Sequence, residues 1–255
     1  MNKKRLLQNI LYPIFALLLF ISVWAIIAYC ENKPLVLPQI DIVFNSLFAL
    51  IAKQSTWKAI AGTLIDTISA FSLSFVIALI LSIISTIYPT LHKIISPINT
   101  ILRATPTMAI ILLSVLWLNY DKVPLFIGFL IAFPLLYSLF RESFISVDKN
   151  LLEMAKVFNV SKKDKLTNIY LPSVLPNIFA NSATVISLTT KVVIAAEVLA
   201  YVSNTIGNEM QMASNMIESD ILLAYTILAI LLSFTLELVF TILKKLAEVK
   251  YGYKH

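Results

Sequence analysis

The sequence has few of the residues on which catalytic and metal-binding motifs depend. Among its 255 residues are four glycines, two histidines and one cysteine, Cys30. A single cysteine excludes an intrachain disulfide framework and a cysteine metal cluster. No two glycines have the spacing of the Gly-x4-Gly-Lys loop that holds nucleotide phosphates. His92 and His255 are far apart, and neither an HExxH motif nor a nucleophile elbow is present. We therefore expect no catalytic residue, no metal and no cofactor in this chain.

Charge is also scarce. Charged residues make up 13% of the chain, against about 25% in soluble domains. Hydrophobic residues make up 59%, and the mean hydropathy is +0.87. Since a membrane-spanning helix needs about 20 apolar residues, the composition predicts an all-α integral membrane protein.

Six apolar stretches are long enough to be candidate spans. They are Ile10–Tyr29, Ala59–Ile87, Ile98–Leu118, Val123–Phe140, Leu175–Ala200 and Ile221–Leu243. A seventh stretch, Val43–Ala52, is too short to span, and we expect a helix at the membrane interface there.

The basic residues are distributed unevenly between the loops. If the N-terminus is inside, 15 of the 20 Lys and Arg residues fall on the cytoplasmic side. Cytoplasmic loops of membrane proteins carry such an excess, so both termini are predicted to be cytoplasmic. The net charge of +6 does not indicate nucleic-acid binding, because the basic residues are spread over four segments.

One loop, 142–172, is polar and contains a predicted helical hairpin. Leu151, Leu152, Ala155 and Phe158 recur at helical spacing. Asn159 follows them, and Asn readily adopts the left-handed conformation that ends a helix. From periodicity alone, this first helix could lie on the membrane surface or pack against other loops.

The second half of the hairpin has its own start signal. Ser161 is suited to be an N-cap, and Asp164 stands three residues later, close to a capping box. We expect a second short helix through Ile169, closed by Leu171 and Pro172.

The spacing of this hairpin resembles the cytoplasmic EAA loop of permease subunits of bacterial ATP-binding-cassette (ABC) importers. That loop reads Glu-Ala-Ala, three residues, Gly, nine residues, then Ile-x-Leu-Pro. This chain keeps every interval, with Glu153-x-Ala155, Asn159 and Ile169-x-Leu171-Pro172. Met154 replaces the middle alanine, and Asn159 replaces the glycine.

Two further stretches are similar to the nitrate, sulfonate and taurine branch of these permeases. They are RATPTMAIILLSVLW, Arg103–Trp117, and KVVIAAEVLAYVSNTIG, Lys191–Gly207. Leu118 stands where relatives usually have a glycine. The resemblance covers roughly residues 35–255.

The resemblance implies a type-I permease fold of about six helices in the bacterial inner membrane. Residues 1–34 are then an anchor helix, and residues 35–255 are the permease domain with a coupling loop at about 142–172. The implied partners are a cytoplasmic ATPase that binds the ATP, an extracytoplasmic substrate-binding protein and a second copy of this chain. The implied cargo is a small anion or a vitamin precursor. The residues expected to couple the chain to the ATPase are Leu152, Glu153, Ala155, Phe158, Asn159, Leu171 and Pro172. Among them, Leu152, Ala155 and Phe158 are expected to face the ATPase, and Glu153 to contact it through its charge.

Polar residues in the fifth predicted span are candidates for the transport path. They are Asn181, Thr184, Ser187, Lys191 and Glu197. The first four fall on one arc of about 120°, which fits a path but equally fits hydrogen bonds between helices. Lys191 and Glu197 match the family motif, where Glu197 can form a structural ion pair with another helix or the second subunit and Lys191 can face an anion. The alternative function is an ion-coupled secondary transporter that uses Asp66 and Glu197.

Overall fold

The computed structural model describes residues 3–31 and 35–251, and all its regular elements are helical. The helices are α1 (Lys3–Glu31), α2 (Ile40–Ile51), α3 (Gln54–Ile87), α4 (Pro89–Ala104), α5 (Thr107–Trp117), α6 (Val123–Ile145), α7 (Lys149–Val157), α8 (Lys162–Lys165), α9 (Leu171–Ala200), α10 (Ile206–Asn215) and α11 (Ser219–Tyr251). A 3-10 turn, Tyr120–Lys122, precedes α6, and a π-helical turn, Leu166–Tyr170, joins α8 to α9. The all-α prediction is confirmed. The predicted domain boundary at residue 34 and His255 lie outside the described residues.

The core lies where α3, α6 and α9 meet. Phe71, Leu136, Phe140 and Ile186 form part of one buried cluster that joins these helices. Gly128 permits the close approach, because a Cβ there would lie 2.6 Å from the Ala70 Cβ and 2.9 Å from the Val193 Cγ2. α11 packs along α9 and closes the bundle.

Four helices are long and apolar enough to cross a membrane: α3, α6 with its 3-10 turn, α9 with the preceding π turn, and α11. The α4–α5 pair gives a fifth span if it is counted as one bent element. The first predicted span corresponds to α1, whose apolar part, Ile14–Cys30, is shorter. The chain is a multi-pass membrane protein, and the count of six spans stays a prediction.

The third predicted span is not one straight helix. α4 and α5 meet at an angle of 95° around Thr105 and Pro106. The ring of a proline disfavours the helical conformation of the preceding residue, and Thr105 is extended, with φ −72° and ψ 130°. From the sequence alone, Pro106 is expected to be tolerated inside a helix whose neighbours satisfy the freed carbonyls, and Pro89 and Pro97 are expected to bracket the turn between the second and third spans. The first of these predictions was wrong. Pro89 begins α4 and Pro97 lies within it, so these two prolines do not bracket a turn.

Large apolar side chains cover the outside of the bundle. Phe20, Ile65, Val76, Ile230 and Phe234 are all exposed on the single chain. Apolar surface of this extent is stable only against lipid or another protein, which agrees with the predicted membrane location.

Candidate functional site

The first helix of the predicted hairpin, α7, has well-defined signals at both ends. The Asp148 side chain accepts a hydrogen bond from the Asn150 backbone N–H at 2.8 Å and caps its start. At its end Asn159 has φ 49°. The Val160 N–H donates to the Ala155 carbonyl at 2.9 Å, and the Asn159 N–H donates to the Lys156 carbonyl at 3.2 Å. These two bonds define a Schellman motif, so the predicted turn at Asn159 is confirmed.

The second half of the hairpin begins as predicted but does not end as predicted. The Ser161 Oγ accepts the Asp164 N–H at 3.1 Å and donates to the Asp164 carboxylate at 2.6 Å. The expected stop at Leu171 and Pro172 was wrong, because helix continues through the π turn into α9. Pro172, which lacks an N–H, lies in the first turn of α9 directly after the π turn, where the regular hydrogen-bond pattern of the helix is already interrupted. The second half of the hairpin and α9 therefore form one continuous helix.

The outward face of α7 differs from the predicted one. Ala155 is 1% exposed and Leu152 packs against the core, so neither presents its side chain outward. Phe158 is 74% exposed and Val157 is 76% exposed. Leu151 and Met154 are also exposed on α7, as is Glu153. We call Leu151, Met154, Val157 and Phe158 the hairpin patch. Leu171 and Pro172 are half-buried at the start of α9.

Asn159→Gly is expected to be tolerated, whereas Asn159→Val is expected to weaken the hairpin. Glycine adopts positive φ without strain, while a left-handed conformation costs an ordinary L residue about 1–2 kcal/mol. The rate at which a protease cleaves residues 148–170 of the membrane-embedded protein measures how stable the hairpin is. Faster cleavage of Asn159→Gly than of Asn159→Val would contradict the assignment of the turn.

The polar residues of α9 do not all share one environment. Thr184 and Lys191 are exposed, and Asn181 is half-buried, with its Nδ2 3.5 Å from the Ser143 Oγ. Ser187 instead turns toward α11, where its Oγ lies 3.0 Å from the Ser233 Oγ. Ser187 therefore joins two helices, and Leu188 takes its place on the exposed side. We call Asn177, Asn181, Thr184, Leu188 and Lys191 the α9 face.

Glu197 lies away from the α9 face and is fully buried. Its Oε2 accepts hydrogen bonds from the Thr63 Oγ1 at 2.8 Å and from the Gly207 N–H at 3.1 Å. The Lys244–Glu248 pair is the ion pair found among the described residues. The expectation that Glu197 forms an ion pair within the chain was therefore wrong, because its partners there are a hydroxyl and a backbone amide. The Oε1 is buried without a partner there.

These contacts hold the start of α10 against α3 and α9. The first three N–H groups of a helix have no partner within it. Here the Ile206 N–H donates to the Thr63 Oγ1 at 2.9 Å, the Gly207 N–H to Glu197, and the Asn208 N–H to the Thr205 Oγ1 at 3.2 Å. Glu197 therefore anchors a helix start rather than facing an open path.

Two glycines permit this joint, and sequence reasoning did not assign them a role. A Cβ on Gly62 would lie 2.2 Å from the Asn204 carbonyl oxygen, and one on Gly207 would lie 2.4 Å from the Glu197 Cβ. Thr63 and Thr205 were missed as well. Of these four residues, Gly207 is the one for which the sequence held a signal, because it closes the motif that begins at Lys191.

Glu197→Gln is expected to stay folded and active, whereas Glu197→Ala is expected to lower stability. The glutamine keeps an oxygen for Thr63 and Gly207. The alanine leaves two buried donors unpaired, each at a cost of about 1–3 kcal/mol. The difference in stability between the two variants is measured by heating the purified proteins and monitoring the loss of monodisperse protein. Lost uptake in a stable Glu197→Gln variant would instead favour proton coupling through this carboxyl.

The alternative that Asp66 and Glu197 act together gains no geometric support. Asp66 lies one turn beyond Thr63 on α3 and is half-buried. It lines a cavity of about 470 Å³ with Lys58 and Asp121. The hydrogen-bonding partners of Glu197 are the Thr63 hydroxyl and the Gly207 N–H, not Asp66.

Fold and hairpin together define a helical membrane transport component. The family model described as "binding-protein-dependent transport system inner membrane component" matches residues 78–249. That match covers more than half of the chain, and the chain belongs to this family as a permease subunit of an ABC importer. Membership implies a partner ATPase.

Individual relatives agree with this assignment. A protein of Methanocaldococcus jannaschii, named as an ABC transporter permease, is 26% identical over 92% of this chain and 89% of its own length. The taurine transport system permease protein TauC of Escherichia coli is 24% identical over 91% of this chain and 86% of its own. The branch resemblance seen in the motifs is thus confirmed.

Solved structures show the same fold. The MetNI methionine ABC transporter in inward-facing form matches with a TM-score of 0.59 and 14% identity, over 72% of this chain and 94% of that one. An amino acid ABC transporter with histidines matches with a TM-score of 0.60 and 15% identity, over 76% and 94%. Neither comparison supports an ion-coupled transporter.

Proposed function

We propose that this chain carries a small solute across the bacterial inner membrane and couples its movement to ATP hydrolysis on a separate ATPase. The hairpin patch is the observation that carries this proposal. Four large apolar side chains are exposed on α7, at the polar end of a membrane protein. Such an amphipathic helix is suited to a groove on another protein.

The connection of the hairpin to the bundle explains how force would reach the membrane. Ala155 and Leu152 hold α7 against the core, while the π turn continues the hairpin into α9. A displacement of the hairpin by a closing ATPase dimer would therefore move α9. Of the residues expected from the sequence, Glu153 and Phe158 are the proposed contacts because both are exposed, and the proposed role of Asn159, Leu171 and Pro172 is to shape the hairpin.

The α9 face is the proposed lining of the path. Polar side chains at a lipid-facing position are costly, so Asn181, Thr184 and Lys191 need water or protein beside them. A second copy of this chain supplies that environment in a twofold-symmetric dimer. Ser187 and Glu197 are removed from the proposed lining by their contacts with Ser233 and with α10.

The remaining parts of the system follow from the branch. An extracytoplasmic binding protein would deliver the cargo, and ATP would bind only to the ATPase. TauC is named for taurine, and we propose a cargo of the same class: a sulfonate, taurine, nitrate or a vitamin precursor. An exposed Lys191 is consistent with an anion.

Lys191→Met is expected to reduce uptake of an anionic cargo by about tenfold, the equivalent of roughly 1.4 kcal/mol of charge–charge attraction. Lys191→Arg, which keeps the charge, is the matched control and should retain most of the uptake. Initial rates in proteoliposomes measure both. Equal rates for Lys191→Met and the wild type would remove Lys191 from the path.

An experiment that identifies the energy source of uptake tests the whole proposal. The chain is purified with its partners, reconstituted, and offered a panel of sulfonates, taurine and nitrate. Uptake should require ATP on the side of the membrane where the ATPase is bound. It should continue when ionophores collapse every ion gradient. Uptake that proceeds without ATP and stops with the ionophore would establish the ion-coupled alternative.

A further inference from the structure

A polar cavity lies between α4 and the end of α6, outside the hairpin patch and the α9 face. Its volume is about 290 Å³, room for about ten waters at ~30 Å³ each. The residues that line it include Asn99 and Arg103 of α4 and Arg141 and Glu142 of α6. Glu142 lies in the last turn of α6, and the chain runs from there into the hairpin.

One side of the cavity offers cationic donors. Arg103 and Arg141 both line it, and the Arg141 Nε is buried without a hydrogen-bond partner in the part of the chain that the structure describes. Glu142 is not within ion-pair distance of either guanidinium among those residues. The planar guanidinium group is well matched to phosphate-like oxyanions.

The cavity also offers acceptors. Asn99 is 7% exposed, and its Nδ2 donates to the Ser138 Oγ at 2.8 Å. Ser138 itself donates to the Pro134 carbonyl at 3.1 Å, so its hydroxyl can only accept from Asn99, which fixes the orientation of the amide. The Asn99 Oδ1 is left buried without a partner, and an unpaired buried acceptor is unfavourable.

We propose that this cavity binds a zwitterionic group in which a phosphate or sulfonate contacts Arg103 and Arg141 and an ammonium donates to Asn99 and Glu142. A purely anionic ligand would leave the Asn99 Oδ1 unpaired, and a purely cationic one would face two guanidinium groups. Two sources share this chemistry: the headgroup of phosphatidylethanolamine, and a free amino-phosphate or amino-sulfonate solute. The site does not depend on the proposed transport function, since binding is measurable without transport.

The test compares two ligands that differ only at the nitrogen. The full chain with its co-purifying partners is placed in phosphatidylcholine nanodiscs and titrated with phosphoethanolamine and with phosphocholine, which has no N–H donor. Phosphoethanolamine should bind about tenfold more tightly, and Arg141→Gln should weaken it by about tenfold or more. Glu142→Gln should reduce the preference between the ligands. Lys93→Gln, which removes an exposed charge of α4 outside the cavity, should change neither affinity by more than about twofold.

A second arm identifies the source. Native mass spectrometry of protein from native membranes shows whether phosphatidylethanolamine remains bound and whether phosphoethanolamine displaces it. A retained, displaceable lipid supports the headgroup form, and direct binding with no retained lipid supports the solute form. Equal affinities for the two ligands would overturn the proposal, as would binding to neither. Because Arg103 is exposed, Arg103→Gln tests the anion contact even where Arg141→Gln does not fold, and unchanged binding in it counts against the proposal.

Discussion

Phe158→Asp is expected to abolish association with the ATPase while leaving the chain folded in the membrane. Phe158 is 74% exposed, so the fold does not depend on its side chain. A central aromatic anchor in a helix-in-groove contact can contribute about 2 kcal/mol or more. Aspartate would also place a charge in an apolar groove. The expected result is a loss of co-purifying ATPase of about tenfold or more.

The matched control for this change is Val249→Asp. Val249 is an equally exposed apolar residue, at 82%, but it lies near the end of α11, outside the hairpin. The Val249→Asp substitution should leave the amount of co-purifying ATPase unchanged. A Phe158→Asp protein that is well folded and still binds the ATPase as the wild type does would show that the hairpin patch is not the contact.

Gly207→Val is expected to prevent accumulation of the folded protein. Already a Cβ at this position would lie 2.4 Å from the Glu197 Cβ, 2.6 Å from the Ile194 carbonyl oxygen and 2.8 Å from the Val198 nitrogen. Two of these neighbours are backbone atoms of α9, so no side chain can turn away to make room. Overpacking commonly costs 1–3 kcal/mol, and we expect about 3 kcal/mol or more here.

Fluorescence-detected size-exclusion chromatography measures this effect directly. Gly207→Val should give little monodisperse protein, and Gly207→Ala should give protein that melts at a lower temperature. Met212→Ala, a change at an exposed residue of the same helix, is the control and should behave as the wild type. Normal yield and melting of Gly207→Val would contradict the close packing of α10 on α9.

The features that the sequence predicted are those with local causes. Asn159 and Ser161 were correctly placed because a helix end and a helix cap depend on a few neighbouring residues. The apolar length of α3, α6, α9 and α11 identified them as spans. Pro106 was misjudged because the sequence does not show whether a proline is accommodated within a helix or ends it; here Thr105 is extended and the helix breaks.

The features that the sequence did not predict depend on distant partners. Periodicity showed that Ala155 and Phe158 belong to an amphipathic helix, but not which side the core covers. Ser187 lay on the predicted polar arc, yet Ser233 of α11 draws it to the other side. The role of Glu197 depends on Thr63, 134 residues earlier, and no spacing rule connects them.

The central claim is that the hairpin patch binds the ATPase, and site-specific photo-cross-linking tests it most directly. A benzophenone amino acid is placed at Val157, which is 76% exposed, and, as a control, at Val249. Illumination of native membranes should join the Val157 variant, and not the Val249 variant, to a nucleotide-binding subunit identified by mass spectrometry. The account is contradicted if that subunit co-purifies with both variants but the probe at 157 captures only lipid or other parts of this chain.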